Sequence, residues 1–420
     1  MISRSPSFDA RANILMLIPN MGFGGAQRVF HDHSVLFGEH HRVTEVVFNR
    51  IHGHAFPSGN QLLSLDVPGG GGMLAKLRHF AQRIRRLAAT KRRERTALTI
   101  SHLEGAHYVN LLSGAGDKRI LVIHGSLIHD RELGRFKASV IRHLIVPRLH
   151  NRADRIVVVS REQVAELVSL GARPDKIVVI NNFFDPAAIR ARSLEPLSAD
   201  EQAIFAGPPV LVTSGRLAVP KNLPALIAIF AILRKRRAVR LLLIGDGELR
   251  QSLIAQAKAF GLSVREGAGG DHDIVFAGFQ DNPFRLQRHA QSFVLPSGWE
   301  GFPMVLGEAM ACGLPIVSAD CPTGPREFLA PGTIGHAVRP LRVAETGDHG
   351  LLMPIPAVGD QATINVWVET LDRLLGDPAA RQRMAAASLA RAEDFSRDTI
   401  APQWFALIDE LLGAPSTTSA

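Results

Sequence analysis

Two trains of short apolar runs, each alternating with longer amphipathic stretches, organise this chain. In the first half the runs lie at 14–19, 42–48, 97–101, 120–124, 155–160 and 176–181. In the second they lie at 210–214, 240–245, 273–278, 292–296, 315–319 and 350–354. Runs that are apolar throughout suit strands buried on both faces, and the helical stretches between them suit parallel crossovers. The expected fold class is α/β, with two Rossmann-like, doubly wound domains facing each other across a cleft. The expected boundaries are 1–185 for the first domain, 186–209 for a linker with several Pro, Ala and acidic residues, and 210–400 for the second. Helical patterns at 361–375 and from 379 onward close the second domain, and 401–420 holds a last helix and a tail, 414–420, expected to be disordered.

Composition narrows the class. At 420 residues, 46% hydrophobic and 21% charged, the chain can fill two ordinary cores, which excludes a disordered protein. Its two cysteines, Cys312 and Cys321, match neither a disulfide framework nor a metal-site spacing, and fit a reducing compartment or simple burial. The apolar run 14–18 is too short for a signal peptide or a membrane span, and no other stretch approaches ~18 uninterrupted apolar residues. A cytoplasmic protein is expected.

Charge is concentrated in one place. Between Met73 and Arg95 stand nine lysines and arginines, Lys76, Arg78, Arg83, Arg85, Arg86, Lys91, Arg92, Arg93 and Arg95, against Glu94 alone, nearly the whole formal net charge of +9. Leu74, Leu77, Phe80, Ile84, Leu87 and Ala88 recur there at spacings of three and four, the apolar stripe of a helix whose other face is basic. Such a helix fits an anionic membrane or a lipid diphosphate, with Lys76, Arg83, Arg85, Arg86, Arg92 and Arg93 as the contacting cations; the plainer alternative is a surface helix with a solvated basic face. Nucleic acid is not expected as a partner, since no base-stacking aromatics accompany the charges. A milder basic stretch, 131–148, with Phe136, Val140, Ile141, Leu144 and Ile145, extends the same surface.

Candidate chemistry gathers at predicted strand ends. Glu300 falls in the loop after the run 292–296 and Glu308 on the helix that follows, so both carboxylates can face one crevice and accept hydrogen bonds from a ligand rich in hydroxyls. Arg216 and Lys221 lie just past another strand end, where two cations can meet a diphosphate. Gly301, and Gly24 with Gly25, precede helix starts whose amides can approach phosphate oxygens. Each has a bland counterpart: a surface Arg, a helix-starting Lys, a solvated Glu near a helix N-terminus, and the glycine turns common to any such domain. Gly245-Asp246-Gly247 reads as a structural turn.

The segment from Ser297 through Glu300, Gly301, Phe302, Pro303 and Glu308 to Ser318 resembles the signature of glycosyltransferase family 4, retaining sugar-nucleotide transferases of the GT-B fold, whose motif is Glu, seven residues, Glu. The resemblance extends through Ser214-Gly215-Arg216 with Lys221-Asn222, Gly245-Asp246-Gly247-Glu248, Gly278-Phe279 with Asn282-Pro283, and Gly24-Gly25-Ala26-Gln27-Arg28. It implies a UDP-sugar donor, with Arg216 and Lys221 offsetting charge on the leaving nucleotide, Glu308 on the ribose hydroxyls, Glu300 on a donor-sugar hydroxyl, and Phe279 beside the base, simple packing being the equal alternative for that ring. It places Gly301, Phe302 and Pro303 at the substrate and His124, at a strand end of the first domain, near the reacting sugar as a hydrogen-bond partner. It also implies that the last helix packs back on the first domain and that arginine and lysine replace a metal, so no cofactor is expected. The run Asp320-Cys321-Pro322-Thr323-Gly324-Pro325-Arg326-Glu327 resembles the subgroup that uses UDP-linked hexoses or N-acetylhexosamines to build bacterial surface glycans. The expected function is therefore a retaining transfer to a lipid-linked or lipopolysaccharide-type acceptor, peripherally on the inner face of the cytoplasmic membrane. Rival readings are a soluble acceptor, a GT-B sugar-nucleotide epimerase, or a silent sugar-nucleotide sensor.

Overall fold

Among the described residues, fifteen strands lie in two sheets. The computed structural model describes residues 11–22, 24–50, 56–127, 140–270 and 272–413; the extreme N-terminus, residues 131–139 of the basic stretch including Phe136, and the tail 414–420 lie outside them. Two compact units emerge, one of residues 1–182 with 400–420 and one of residues 183–399.

In the first unit the strands are β1 (Asn13–Ile18), β2 (Arg42–Val47), β3 (Gln61–Ser64), β4 (Leu98–His102), β5 (Lys118–Ile123), β6 (Arg155–Val158) and β7 (Ile177–Val179), in the order β3-β2-β1-β4-β5-β6-β7 and all parallel. The second has β8 (Val210–Ser214), β9 (Arg240–Ile244), β10 (Val264–Glu266), β11 (Ile274–Gly278), β12 (Ser292–Leu295), β13 (Ile316–Ala319), β14 (Glu345–Gly347) and β15 (Gly350–Met353), in the order β10-β11-β9-β8-β12-β13-β15-β14. Among the described residues only β14 runs antiparallel, against β15. The runs expected from the apolar pattern are all strands, because both faces of each sheet are covered and continuous apolar sequence is what such burial requires. The strands not anticipated, β3, β10 and β14, are three or four residues long and at or near sheet edges, too short for a pattern to register.

The stretch 186–209 folds inside the second unit as two helices, Pro186–Ser193 and Ala199–Phe205. Their start signals are in the sequence: Asp185 accepts from the Ala188 amide, and Ser198 with Glu201 forms a reciprocal capping box. The helix Arg397–Leu412 delivers Trp404 to the first unit, where its ring meets His33 at 4.7 Å and Phe37 at 5.4 Å. Among the described residues no helix is long and apolar enough to cross a membrane.

The basic segment is the helix Met73–Arg93, and its cations divide three ways. Lys91 is interior, its Nζ 2.8 Å from Asp117 Oδ2 with both side chains at most 1% exposed, and burial draws its pKa down to about 8. Arg83 donates to the carbonyls of Val67 and Pro68, Arg86 to those of Leu65 and Asp66, and Arg93 pairs with Glu94. Lys76, Arg78, Arg85 and Arg92 are exposed. The apolar stripe is only half used: Leu87 is buried and Phe80 and Ile84 pack on the core, while Leu74 and Leu77 are 81% and 59% exposed.

The first unit also buries imidazoles. His33 and His107 are each 1% exposed, and desolvation lowers their pKa values to about 3 and about 4. Both rings are neutral in the folded chain, whereas in the unfolded chain they protonate near 6.5. As pH falls below about 6.5 the unfolded state takes up protons that the folded state refuses, so stability drops, by up to about 1.4 kcal/mol per pH unit for each ring. Urea unfolding at pH 7 and pH 5 should show a clearly lower midpoint at pH 5, and equal midpoints would contradict neutral buried rings.

Candidate active site

Strand order in the second unit reverses at β8: the chain proceeds outward through β9 and β11, then returns to lay β12 on the other side of β8. Loops leaving the C-terminal ends of β8 and β12 therefore diverge, and the space between them is where ligands of open parallel sheets bind. Three loops meet there. The loop after β8 passes through Gly215, Arg216 and Lys221 to Asn222, whose left-handed backbone (φ 50°) suits asparagine and starts the helix Leu223–Arg236. The loop after β12 carries Ser297 to Pro303 into the helix Met304–Ala311. The loop after β13 carries Asp320 to Gly324.

Backbone contacts bind the three together. The Gly298 amide donates to the Pro220 carbonyl at 2.9 Å, the Glu300 amide to the Pro322 carbonyl at 3.1 Å, and the Thr323 hydroxyl to the Glu300 carbonyl at 2.5 Å. Asn222 Nδ2 donates to the carbonyls of Pro296 and Pro356. Two glycines make the approach possible. A Cβ on Gly324 (φ 99°) would lie 2.4 Å from Pro303 Cδ, and one on Gly245 (φ 128°) would lie 2.0 Å from the Gly215 carbonyl oxygen. The Gly245-Asp246-Gly247 turn is thus the floor under the β8 loop, as the sequence reading expected.

At the meeting point Lys221 Nζ lies 2.8 Å from Glu300 Oε1, with the side chains 18% and 12% exposed. The same oxygen accepts from Ser297 Oγ at 2.6 Å. Oε2 of Glu300 makes no hydrogen bond to the described residues, and the ammonium of Lys221 has three donors with one engaged. Beside them Arg216 is 74% exposed and, among the described residues, is held only by Glu248, 3.1 Å away and 48% exposed. An exposed pair of this kind is worth about 0–1 kcal/mol, so a diphosphate can displace it at little cost. Ser214, Gly215, Arg216 and Lys221 line one small crevice. Val305, in the first turn of the following helix, comes within van der Waals reach of a Cβ on Gly215, so this helix N-terminus adjoins the same loop.

The other residues singled out in the sequence fall in different settings. Glu308 is buried in the helix Met304–Ala311, 5% exposed. Phe302 is 7% exposed, and its ring packs on Phe328 at 4.5 Å and Phe395 at 5.5 Å; the side chain belongs to an aromatic cluster, and only its backbone is left for a ligand. Pro303 has no amide hydrogen and stands as the helix cap, and Gly301 precedes it half-buried. Phe279, after β11, presents a ring 64% exposed. In the first unit, Gly24 and Gly25 are exposed at the N-terminus of the helix Gly25–Gly38, and His124 follows β5. Ser297 and Thr323 were given no role of their own by the sequence: Ser297 reaches the Glu300 carboxylate three residues along the same loop, and Thr323 reaches the Glu300 carbonyl from the loop after β13.

Two family profiles match the chain. The one described as Glycosyltransferase Family 4 covers residues 23–188 and the one described as Glycosyl transferases group 1 covers residues 208–351, together most of the chain. An uncharacterised glycosyltransferase of Methanocaldococcus jannaschii is 27% identical over 307 residues, covering 70% of this chain and 72% of that protein. The N-acetylgalactosamine-N,N'-diacetylbacillosaminyl-diphospho-undecaprenol 4-alpha-N-acetylgalactosaminyltransferase of Campylobacter jejuni is 27% identical over 47% of this chain and 50% of its own. The lipopolysaccharide 1,6-galactosyltransferase of Salmonella typhimurium is 27% identical over 45% of this chain and 49% of its own, so about half the length of each of these two is matched. Among solved structures, Anabaena HepE in complex with UDP and glucose superposes with a TM-score of 0.72 at 19% identity, over 95% of this chain and 100% of that one, a likeness of fold. With both halves matched in order and both sheets wound as described, the chain belongs to the family 4 glycosyltransferases, group 1, and has the GT-B fold.

Proposed function

We propose that this glycosyltransferase moves a hexose or N-acetylhexosamine from a UDP-sugar, with retention, to a lipid-linked saccharide or a lipopolysaccharide-type acceptor. The observation that carries the reading is the joining of Lys221, Ser297 and Glu300 beside an exposed Arg216 at the reversal of strand order. Complexes of HepE with UDP and glucose support a UDP-sugar donor. The names of the Campylobacter and Salmonella relatives support a saccharide acceptor on a lipid carrier or lipopolysaccharide.

Arg216 and Lys221 hold the diphosphate, Lys221 through the donors that Glu300 leaves unused. Glu300 Oε2 takes a hydroxyl of the donor sugar while Ser297 and Lys221 fix its other oxygen. Glu308 accepts from the ribose hydroxyls, the backbone at Gly301 and Phe302 approaches phosphate, and Phe279 offers its face to the base. His124 hydrogen-bonds the sugar. In the transfer, the bond from the anomeric carbon to phosphate oxygen breaks as the bond to the acceptor oxygen forms on the same face. The acceptor's proton passes to the departing phosphate, and UDP leaves. The protein supplies orientation and positive charge where the phosphate becomes more negative, with no metal ion invoked.

UDP release from UDP-sugars in the presence of lipid-linked saccharides tests this directly. Arg216→Ala and Lys221→Ala should each lower kcat by about 10²–10³-fold, the effect of removing one stabiliser of developing charge. Glu308→Gln should raise KM for the donor by about 10-fold or more, as loss of a hydrogen bond to a charged group implies. Unchanged turnover in both cation variants would refute the assignment, and a thermal shift with GDP-mannose exceeding that with every UDP-sugar would refute the donor class.

The proposal places the helix Met73–Arg93 against an anionic membrane. Met73, Leu74 and Leu77 are exposed beside Lys76 and Arg78, an apolar and basic combination that suits the headgroup boundary. Arg83 and Arg86 serve the fold instead, so the cations left for lipid are Lys76, Arg78, Arg85 and Arg92, at roughly 1 kcal/mol each. Changing these four to Glu should abolish sedimentation with anionic liposomes while leaving the melting temperature nearly unchanged. Equal sedimentation of the variant and the wild type would remove the membrane from the reading.

A further inference from the structure

Reversal of strand order occurs in the first unit too, between β1 and β4, and β4 ends on His102. Residue 102 pairs with Val122 of β5, so His124 lies two residues further along the neighbouring strand. The two rings meet edge to edge, centroids 5.0 Å apart with 27° between planes, and His102 Nδ1 is 2.8 Å from His124 Nε2. His102 is fully buried, with the Phe30 ring at 5.2 Å and the His33 ring at 5.6 Å, and its Nε2 has no hydrogen-bond partner among the described residues. His124 is half-buried, and its Nδ1 makes no hydrogen bond to the described residues.

Burial holds both rings neutral, so each carries one N–H, and the two facing nitrogens share a single hydrogen. Two arrangements are available. If His124 donated through Nε2, His102 would carry its own hydrogen on Nε2, a buried N–H with no acceptor bonded to it among the described residues. If His102 donates through Nδ1, its Nε2 is a bare lone pair, and buried acceptors go unsatisfied more readily than buried N–H groups do. The second arrangement is therefore favoured, and it dictates the state of His124: with Nε2 occupied as an acceptor, the hydrogen resides on Nδ1.

We infer that His102 is a positioning residue that fixes His124 in the Nδ1–H tautomer, making it a hydrogen-bond donor to an oxygen of the saccharide and leaving it no lone pair with which to act as a base. The inference rests on the proposed transferase reading only for the identity of the oxygen. It deepens that reading, since a histidine unable to take a proton is consistent with the acceptor's proton passing to the departing phosphate.

The test uses the full chain with ring-¹⁵N-labelled histidine, His124 and His102 being assigned from the spectra of H124N and H102N. Two-bond ¹H–¹⁵N correlations of the wild type should show His124 protonated on Nδ1. In H102N the side-chain amide stands close to the position of Nδ1 and should keep that pattern. In H102L the pattern should be lost and kcat should fall about tenfold with KM for the donor nearly unchanged, the size expected for one misdirected hydrogen bond. H102N should recover most of the activity lost in H102L, with melting curves confirming that both variants are folded. His124 protonated on Nε2 in the wild type, or equal turnover of H102L and H102N, would overturn the inference. A wild-type tautomer as stated together with full activity in H124L, which has no donor at that position, would instead overturn the role of His124 in transfer, and leave the pairing standing.

Discussion

Divergence of neighbouring loops where the strand order reverses is the constraint on which the site depends. A parallel sheet sends every strand's C-terminal end to one edge, and where crossovers turn to opposite sides a gap opens that no helix fills. At β8 that gap receives Arg216 and Lys221 from one side and Ser297 and Glu300 from the other. Close backbone packing beneath it leaves no room for a side chain at Gly245 or Gly324, so the loops are seated on one another as a single framework.

On that framework the charges are not equivalent. Lys221 and Glu300 form a partly buried pair with a third partner in Ser297, an arrangement in which each side chain has one orientation and still keeps hydrogen-bonding capacity. Arg216 is the opposite, an exposed arginine loosely held by Glu248 and able to move onto an incoming anion. The first unit contributes in another manner. Its strand ends hold the imidazoles of His102 and His124, which burial keeps uncharged, so they hydrogen-bond without adding charge, and the helix Met73–Arg93 presents Lys76, Arg78, Arg85 and Arg92 to solvent.

Much of this was legible in the chain alone. Continuous apolar runs located every long strand, because a strand buried on both faces can be written in no other way. The placement of Glu300, Glu308, Arg216 and Lys221 after strands followed from the same pattern, and the order of motifs named the family. The helices at Pro186–Ser193 and Ala199–Phe205 were equally legible from Asp185 and from Ser198 with Glu201, though composition suggested a linker.

Other features were decided only by tertiary structure. Which strand lies beside which depends on crossover direction, and no local pattern encodes that. Lys91, Arg83 and Arg86 read as surface cations because a helical pattern reports only the side of the helix, while Asp117 and the carbonyls at 65–68 that claim them arrive from elsewhere in the fold. Phe302 sits within the motif yet its ring serves the cluster with Phe328 and Phe395. His102 ends a strand much as His124 follows one, and only the parallel register of β4 and β5 sets their nitrogens 2.8 Å apart. Sequence determined the strands and the chemical groups at their ends; tertiary structure decided the partners, because a partner is fixed by register and packing between segments distant along the chain.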